Sequence, residues 1–204
     1  MTILLVRHGE TALNVARILQ PADTPLSTHG RAQADAVARR LAGTVVGAIL
    51  SSDLPRALTT AQAIGAACGV PVQTTPLLHE RNFGDWRGQP YDAIGHDVVA
   101  GDTVPPNGES AARFAERVAL AFEAVVRLRA TLSAPLVVVT HGLVIRAMLD
   151  SHCRLAVESP GALANTAVSI LDAEAPHAVS LIGCTTHLSG PGGATVAARA
   201  GAPA

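Results

Sequence analysis

Short apolar runs recur along the chain and are separated by longer stretches that mix apolar and polar residues. The runs are dominated by β-branched and aliphatic residues, and a short run of such residues predicts a buried strand. They read TILLV at 2–6, GAILSS at 47–52, VPVQT at 70–74 and APLVVVT at 134–140. Near the end of the chain, TAVSILDA and HAVSLIGC alternate apolar and polar residues, which predicts a terminal hairpin.

The stretches between these runs predict helices. From about Ser27 to Leu41, apolar residues fall at helical spacing behind a serine that is suited to cap a helix. In DLPRALTTAQAIGAACG, Asp53 is the predicted cap, Pro55 stands near the first turn and Gly69 ends the segment. Two more helices are predicted, from about Ser110 to Leu132 and over LVIRAMLDSHC at 143–153.

Strands that alternate with helices are typical of an α/β fold. We therefore predict a three-layer α/β/α sandwich with a mostly parallel central sheet. Residues 1–186 are predicted to form one domain, because no linker divides them, and the Gly-, Ala- and Pro-rich end at 187–204 is predicted to be a flexible tail. The stretch from Pro76 to Glu109 is long for a plain connection and holds three of the chain's five aromatic residues, so we expect it to be functional.

Composition and charge narrow the choice of function. A chain of 204 residues with 49% hydrophobic and 15% charged residues can bury a sizeable core. Its net charge of −1 offers no overall field to nucleic acid or an anionic membrane, so neither partner is expected. The cysteines are far apart and include no C-x-x-C pair, which predicts buried, unpaired thiols in a reducing compartment. The apolar start is too short for a signal peptide, and no run would span a bilayer, so we expect a cytoplasmic protein.

Basic residues follow three of the predicted strands at the point where each strand ends. Arg7 and His8 follow the first strand, Arg56 lies in the first turn of the helix after the second, and His141 follows the strand at 134–140. Because ligands of an open parallel sheet bind beyond the carboxyl ends of its strands, these four side chains are expected to meet at one edge. The sequence thus predicts a positively charged pocket.

Phosphoryl transfer is the chemistry that suits such a pocket. Paired guanidinium groups bind phosphate oxygens and stabilise their charge in the transition state, which supplies positive charge without a metal. A neutral imidazole is a competent nucleophile toward phosphorus when a hydrogen bond fixes its tautomer, and neighbouring arginines disfavour its protonation. Glu80 lies among apolar and aromatic residues, which should raise its pKa and let it protonate the leaving oxygen.

Seven stretches within residues 2–172 read, in order, LLVRHGETALN, DTPLSTHGRAQA, ILSSDLPRALTTA, LLHERNFGDWRGQ, PPNGES, VVVTHGLVIR and NTAVSIL. Together they resemble the histidine phosphatase superfamily, which is also called phosphoglycerate-mutase-like. The RHG tripeptide alone is weak evidence, but with S-S-D-L-x-R-A, E-x-x-x-G-x-W and T-H-G it is a specific signature. Where many members read R-x-Q-G-x-x-D-x-P-L, this chain has Leu19 and Gln20 in place of Gln and Gly.

The resemblance implies a role for each matching residue. His8 is the expected phosphorylated nucleophile, and Glu80 matches the family's proton donor. The residues expected to hold the phosphoryl group, the last through its backbone N–H, are Arg7, Asn14, Arg56, His141 and Gly142. No metal and no cofactor are expected.

Several functions stay open at this stage. The favoured one is a phosphomonoesterase for small phosphorylated metabolites, in which water hydrolyses a phosphohistidine. The main alternative is a cofactor-dependent phosphoglycerate mutase, but mutases carry a longer, arginine-bearing insertion, whereas the span from Trp86 to Ser110 holds only Arg87 as a cation. A third function is a catalytically silent phosphate-binding or interaction module, but such a module needs no proton donor like Glu80. A metallohydrolase is the weakest option, because the histidines do not show the spacing of metal ligands.

The substrate and the assembly are left open by the sequence. The short loop after Glu80 is similar to those of small-molecule phosphatases, including the α-ribazole phosphatase type, and of broad-specificity phosphomonoesterases. The expected partner is a small-molecule phosphate ester, and a homo-oligomer is among the options for the assembly.

Overall fold

The computed structural model describes residues 1–94, 103–156 and 161–189. Within these residues, seven strands form a single sheet. In chain order they are β1 Thr2–Arg7, β2 Ala48–Ser51, β3 Val72–Thr74, β4 Leu136–Thr140, β5 Arg154–Leu155, β6 Val168–Asp172 and β7 Ala178–Cys184. Across the sheet the order is β3, β2, β4, β1, β6, β7, β5, with β6 antiparallel to both of its neighbours and every other pair parallel. The predicted, mostly parallel sheet and the terminal hairpin of β6 and β7 are confirmed.

The described residues also include five α-helices and four short 3₁₀ helices. The α-helices are α1 Ala12–Val15, α2 Thr28–Leu41, α3 Pro55–Cys68, α4 Ala111–Ala130 and α5 Gly142–His152. The 3₁₀ helices are Pro76–Leu78, Gly84–Trp86, Tyr91–Ala93 and Thr186–Leu188. The four longer α-helices were predicted from the sequence. The short α1 and the two-residue strand β5 were not.

Two hydrophobic cores cover the two faces of the sheet. Successive side chains of a strand point to opposite faces, and β1 follows this rule with apolar residues on both sides. Ile3 and Leu5 belong to the core that contains α4 and α5, whereas Leu4 and Val6 belong to the core that contains α2 and α3. The predicted three-layer sandwich is therefore confirmed, with the helices paired on either side of the sheet.

The start of α3 differs from the prediction. Its N-cap is Leu54 and has no capping side-chain bond, and Pro55 follows in the first turn. Asp53 stands one residue too early to cap the helix, and its Oδ1 instead lies 2.5 Å from Nε2 of His79. The prediction of Asp53 as the cap was therefore wrong. The predicted end of the helix is confirmed, because Gly69 adopts a left-handed backbone with φ of 69°.

Strand register brings the candidate residues together at one edge. Arg7 on β1 pairs with Thr140 on β4, and Ser51 on β2 pairs with Val139. The next residues along these strands therefore leave the sheet side by side. The backbone N–H of His8 still reaches the carbonyl oxygen of Thr140, at 3.0 Å.

Three expectations concern the whole chain: the membrane-spanning segments, the cysteines and the tail. Across the described residues, no helix combines the length and the apolar character needed to cross a bilayer. The cysteines at 68, 153 and 184 are free thiols, as predicted, but they are half-buried and not buried as expected. Of the predicted tail, 187–204, only 187–189 are described, and residues 190–204 lie outside the described part of the chain.

Candidate active site

His8 lines a cleft at the carboxyl edge of the sheet, directly after β1. It is almost fully buried, and its Nδ1 lies 2.7 Å from the carbonyl oxygen of Gly9. Because a carbonyl oxygen can only accept, Nδ1 carries the proton and Nε2 keeps its lone pair. Burial, assisted by the charges of Arg56 and Arg7, lowers the pKa of His8 well below its usual 6.5, so the ring is neutral. The ring therefore has the fixed, neutral form that attack by Nε2 requires.

The loop that holds His8 is fixed by its neighbours. Gly9 packs so closely against the start of α2 that a Cβ atom at this position would lie 2.4 Å from the carbonyl oxygen of Gly30. The N–H of Gly9 donates to Oγ1 of Thr60 at 3.0 Å. On the other side, the carbonyl oxygen of His8 accepts from the N–H of Thr166 at 3.2 Å. These contacts explain why glycine follows the histidine, and they keep the imidazole in one orientation.

His141 stands beside His8 at the end of β4. The two ring centroids are 5.1 Å apart, with 60° between the ring planes. Nε2 of His141 lies 3.0 Å from Oγ of Ser52, whereas its buried Nδ1 has no hydrogen-bond partner among the described residues. Burial first, and then the charge of Arg56, lowers the pKa of His141 well below 6.5. Gly142 comes next as the first residue of α5, so its backbone N–H belongs to the N-terminal turn of that helix.

Arg7 and Arg56 bring two guanidinium groups to the cleft with only 8% and 2% of their surfaces exposed. Arg7 donates from Nη1 to the carbonyl oxygen of Leu163, and Nη1 of Arg56 lies 3.3 Å from that of Pro21. In the described part of the chain, Nε of neither arginine has a partner. Burial lowers the pKa of Arg56 to about 10, which leaves it cationic at neutral pH. A buried, unpaired N–H costs about 1–3 kcal/mol, and phosphate oxygens would satisfy these donors.

Glu80 lines the same cleft and is held by two backbone N–H groups. Its Oε1 accepts from the N–H of Arg81 at 3.1 Å, and its Oε2 accepts from the N–H of Leu143 at 3.3 Å. Burial raises the pKa of Glu80, against the opposing effects of these two bonds and of the Arg56 and Arg7 charges. A carboxyl group with a raised pKa, close to a phosphate site, can serve as a proton donor.

Asn14 reaches the cleft from α1. With Thr11 it forms a capping box, in which the Thr11 N–H donates to Asn14 Oδ1 at 3.1 Å and the Asn14 N–H donates to Thr11 Oγ1 at 3.0 Å. Nδ2 of Asn165 lies 3.3 Å from the same Oδ1 and 3.0 Å from the carbonyl oxygen of His8. Since Oδ1 is held by these donors, Nδ2 of Asn14 is the group left to donate to a phosphate.

A partly buried ion pair between α4 and the loop before it holds the segment that carries Glu80. Arg117 binds Glu109 through two contacts, from Nε to Oε1 at 2.9 Å and from Nη2 to Oε2 at 2.8 Å. Nη1 of Arg117 also donates to the carbonyl oxygens of Leu77 and His79, both at 2.8 Å. The backbone before Glu80 is thereby fixed to α4. Sequence reasoning missed this pair, although Glu109 lies in the PPNGES stretch.

Other side chains that line the cleft were not assigned to it from the sequence: Leu19, Gln20, Leu54, Arg81, Phe83, Arg87 and Tyr91. The concentration of aromatic residues after Pro76 was the available signal for two of them. Burial first, and then the charge of Glu80, raises the pKa of Tyr91 to about 12, so its phenol stays protonated. At the departure from the family pattern, Leu19 is buried in the core and Oε1 of Gln20 accepts a hydrogen bond from Thr11 Oγ1 at 3.0 Å.

The structure therefore brings together every residue that the sequence assigned to the site. Arg7, His8, Asn14, Arg56 and Glu80 line one cleft. The two remaining candidates, His141 and Gly142, adjoin residues of the cleft. The ring of His141 contacts that of His8, and Leu143, the residue after Gly142, donates its N–H to Glu80. Over the three described ranges, no group of three or more His, Cys, Asp or Glu side chains is arranged to hold a metal ion.

Comparisons with known proteins place the chain in a family. The sequence profile of the histidine phosphatase superfamily (branch 1) matches residues 3–181. The probable phosphoglycerate mutase GpmB of Yersinia enterocolitica is 34% identical over 162 residues, which cover 74% of each chain.

Solved structures agree with this match. YhfR of Bacillus stearothermophilus superposes with a TM-score of 0.78 at 29% identity, over 91% of this chain and 98% of that one. A mycobacterial glucosyl-3-phosphoglycerate phosphatase, solved in complex with VO3, has a TM-score of 0.73 at 31% identity, over 84% of this chain and 90% of its own. The RHG loop, the cleft it lines and these likenesses lead to one conclusion, that the chain belongs to the histidine phosphatase superfamily.

Proposed function

We propose that the protein is a metal-independent phosphomonoesterase, which hydrolyses small phosphorylated metabolites through a phosphohistidine at His8. The observation that carries the proposal is the hydrogen bond from His8 Nδ1 to the carbonyl oxygen of Gly9, which leaves Nε2 as a nucleophile beside two buried cations, Arg7 and Arg56. The likeness to a mycobacterial phosphatase supports a hydrolytic outcome.

The first step transfers the phosphoryl group to His8. Nε2 attacks phosphorus while the bond from phosphorus to the leaving oxygen breaks. Arg7 and Arg56 stabilise the charge on the transferring oxygens, and protonated Glu80 gives its proton to the leaving oxygen, which departs as an alcohol. The bond from Nδ1–H to the Gly9 carbonyl stabilises the positive charge that the phosphorylated ring acquires.

The second step returns the enzyme to its starting state. A water molecule attacks the phosphorus of phosphohistidine, and the electrons of the phosphorus–nitrogen bond return to Nε2 of His8. The Glu80 carboxylate, formed in the first step, accepts a proton from the attacking water. Orthophosphate leaves, and both His8 and Glu80 regain the protonation states in which they began. A silent phosphate-binding module would have no use for a carboxyl group with a raised pKa in this position.

A second candidate function is phosphoglycerate mutase, which the 34% identity to GpmB favours. In that reaction the phosphohistidine returns its phosphoryl group to a second hydroxyl of the substrate instead of to water. Against it stands the span from Trp86 to Ser110, which holds a single cationic residue, Arg87, for a substrate carboxylate. We therefore keep hydrolysis as the proposed outcome.

Two assays test the proposal. A panel of phosphate monoesters, supplied in excess chelator, should release orthophosphate, and loss of activity that Mg²⁺ or Zn²⁺ restores would contradict a metal-independent mechanism. With 3-phosphoglycerate and a catalytic amount of the 2,3-bisphosphate, little isomerisation should occur, and efficient interconversion would favour the mutase. His8→Ala should abolish phosphate release, whereas His29→Ala, at an exposed histidine of α2, is the matched control and should not.

A further inference from the structure

The cleft holds more positive charge than a phosphate monoester neutralises. Arg7, Arg56, Arg81 and Arg87 all line it, and Glu80 is the one carboxylate among the described lining residues. Glu80 has to be protonated to act as the acid, so the four arginines contribute a charge of +4 when the substrate binds. A phosphate monoester dianion offsets two of these charges. Two positive charges therefore remain, and they belong to Arg81 and Arg87.

Of Arg81 and Arg87, the second is the one that stays available to a ligand. Its half-buried side chain makes no hydrogen bond or ion pair with any residue that the structure describes. Other arginines of the region are engaged, since Arg81 donates from Nε to the carbonyl oxygen of Glu109 at 3.2 Å and Arg17 lies 3.4 Å from Asp92. A guanidinium group that is partly removed from water and has no protein partner is suited to bind an anionic ligand.

The backbone holds Arg87 at the wall of the cleft. Its N–H donates to the carbonyl oxygen of Gly84 at 3.2 Å, which closes the 3₁₀ turn Gly84–Trp86. The backbone N–H of the next residue, Gly88, donates to the carbonyl oxygen of Leu19 at 2.7 Å. This bond joins the turn to the loop between α1 and α2. The backbone of Arg87 is thus held at the cleft before any ligand binds, so that only the side chain has to be ordered on binding.

The electrostatics around Arg87 agree with this position. Burial is the cause that lowers the pKa of Arg87, and the charge of Arg87 is in turn one of the effects that lower the pKa of Arg56. Two guanidinium groups that repel each other in this way are both stabilised when an anion binds between or beside them. Three other lining residues, Leu19, Leu54 and Phe83, are apolar and offer a polar substrate group no hydrogen bond.

From this arrangement we infer that Arg87 forms a second anion subsite, which makes the enzyme prefer phosphate monoesters that carry a further singly charged anionic group, such as a carboxylate. The inference rests on the proposed phosphatase function and adds a specificity-determining residue to it. The phosphate binds to Arg7 and Arg56, and the second group binds to Arg87 at the wall of the same cleft.

A matched pair of esters tests the subsite. In 3-phosphoglycerate a carboxylate takes the place of the terminal hydroxymethyl group of glycerol 3-phosphate, so the two differ mainly in this charge. The wild-type protein should hydrolyse 3-phosphoglycerate with a higher kcat/KM than glycerol 3-phosphate. Arg87→Gln should lower the ratio of kcat/KM for 3-phosphoglycerate to kcat/KM for glycerol 3-phosphate roughly tenfold, as expected for one charge-assisted hydrogen bond. Arg87→Lys, which keeps the charge, should retain part of the preference.

Arg17→Gln is the control, because Arg17 is an exposed arginine of the same region that pairs with Asp92 and does not line the cleft. Its ratio should equal that of the wild-type protein. An unchanged ratio in Arg87→Gln, or a wild-type protein that prefers glycerol 3-phosphate, would overturn the inference.

Binding measurements separate this inference from the proposed function. In the His8→Ala background, which cannot form a phosphohistidine, calorimetry gives the Kd of both esters without turnover. If 3-phosphoglycerate binds more tightly than glycerol 3-phosphate and Arg87→Gln removes the difference, the subsite is supported. A wild-type protein that released no phosphate would then contradict the phosphatase proposal alone. Equal Kd values for the two esters in His8→Ala would defeat the subsite alone.

Discussion

Replacing Arg117 with methionine should destabilise the protein and misplace its proton donor. The variant loses both contacts to Glu109 and both carbonyl contacts, to Leu77 and His79, in the segment that precedes Glu80. The side chains of the ion pair are only 19% and 13% exposed, so Glu109 is left largely buried, with the N–H of Asn82 at 3.2 Å and the charge of Arg81 as its remaining partners. Because Glu109 keeps these partners, the cost is expected at the lower end of the range for breaking a buried ion pair, about 3 kcal/mol.

This cost translates into a measurable melting shift. For a domain of this size, 1 kcal/mol corresponds to about 2–4 °C in Tm, so Arg117→Met should melt roughly 6–12 °C below the wild-type protein. Arg113→Met is the matched control, because Arg113 lies one turn earlier on α4 and is exposed. A surface substitution of this kind changes stability by no more than about 0.5 kcal/mol. Thermal denaturation followed by circular dichroism measures both variants.

The stability difference should depend on pH in a defined direction. Burial alone would raise the pKa of Glu109, but the hydrogen bonds and charge of Arg117 hold it below its usual 4.5. A carboxylate with a depressed pKa in the folded state stabilises the protein above its unfolded pKa, and this contribution is lost as the pH falls through the folded value. Without Arg117 most of that contribution is lost, because only the N–H of Asn82 and the charge of Arg81 still lower the pKa of Glu109. The gap in Tm between wild type and Arg117→Met should therefore narrow below about pH 4.

Activity measured well below the melting temperature tests the positional role of Arg117. If the arginine holds Glu80 in place, Arg117→Met should lose more activity on alkyl phosphates, whose leaving oxygen needs a proton, than on p-nitrophenyl phosphate. Equal losses on the two esters in folded protein, or a Tm within 2 °C of that of Arg113→Met, would refute the reasoning.

Three further outcomes are expected. Glu80→Gln should be severely slow on alkyl phosphates and much less impaired on p-nitrophenyl phosphate, and equal impairment would shift the acid role to His141. In the wild-type protein the rate on alkyl phosphates should fall as the pH rises through the elevated pKa of Glu80, and Glu80→Gln should lack this alkaline limb. Arg56→Ala should lower kcat by roughly 10²-fold or more, as for loss of a preorganised oxyanion donor, whereas an effect confined to KM would assign Arg56 to uniform binding.

The local signals in the sequence were strong enough to predict the architecture. The apolar runs predicted strands, and helical spacing predicted the long helices, because burial on both faces of a parallel sheet leaves a continuous apolar pattern. The short strand β5 escaped prediction, since two residues, Arg154 and Leu155, carry no periodicity. Asp53 was wrongly assigned as a cap. An aspartate near a helix start often caps the helix, and the sequence does not show that this one pairs with the distant His79 instead.

The site was predictable to the extent that its residues follow strand ends. His8 and His141 meet because β1 and β4 are parallel neighbours in register, a consequence of the fold class. The ion pair of Arg117 and Glu109 was not predictable, because its value depends on carbonyl groups about 40 residues away in sequence. Arg87 was visible as a cation in the sequence, but only the cleft shows that it faces the same space as Arg56.

The most direct test of the account is the identification of the phosphorylated residue. The protein, mixed with a phosphorylated substrate and quenched rapidly, should carry a phosphoryl group that is labile in acid and stable in base, and peptide mass spectrometry should locate it on His8. The same adduct should be absent from His8→Ala and present in His29→Ala. An acid-stable adduct, or one that persists in His8→Ala, would contradict the phosphohistidine mechanism.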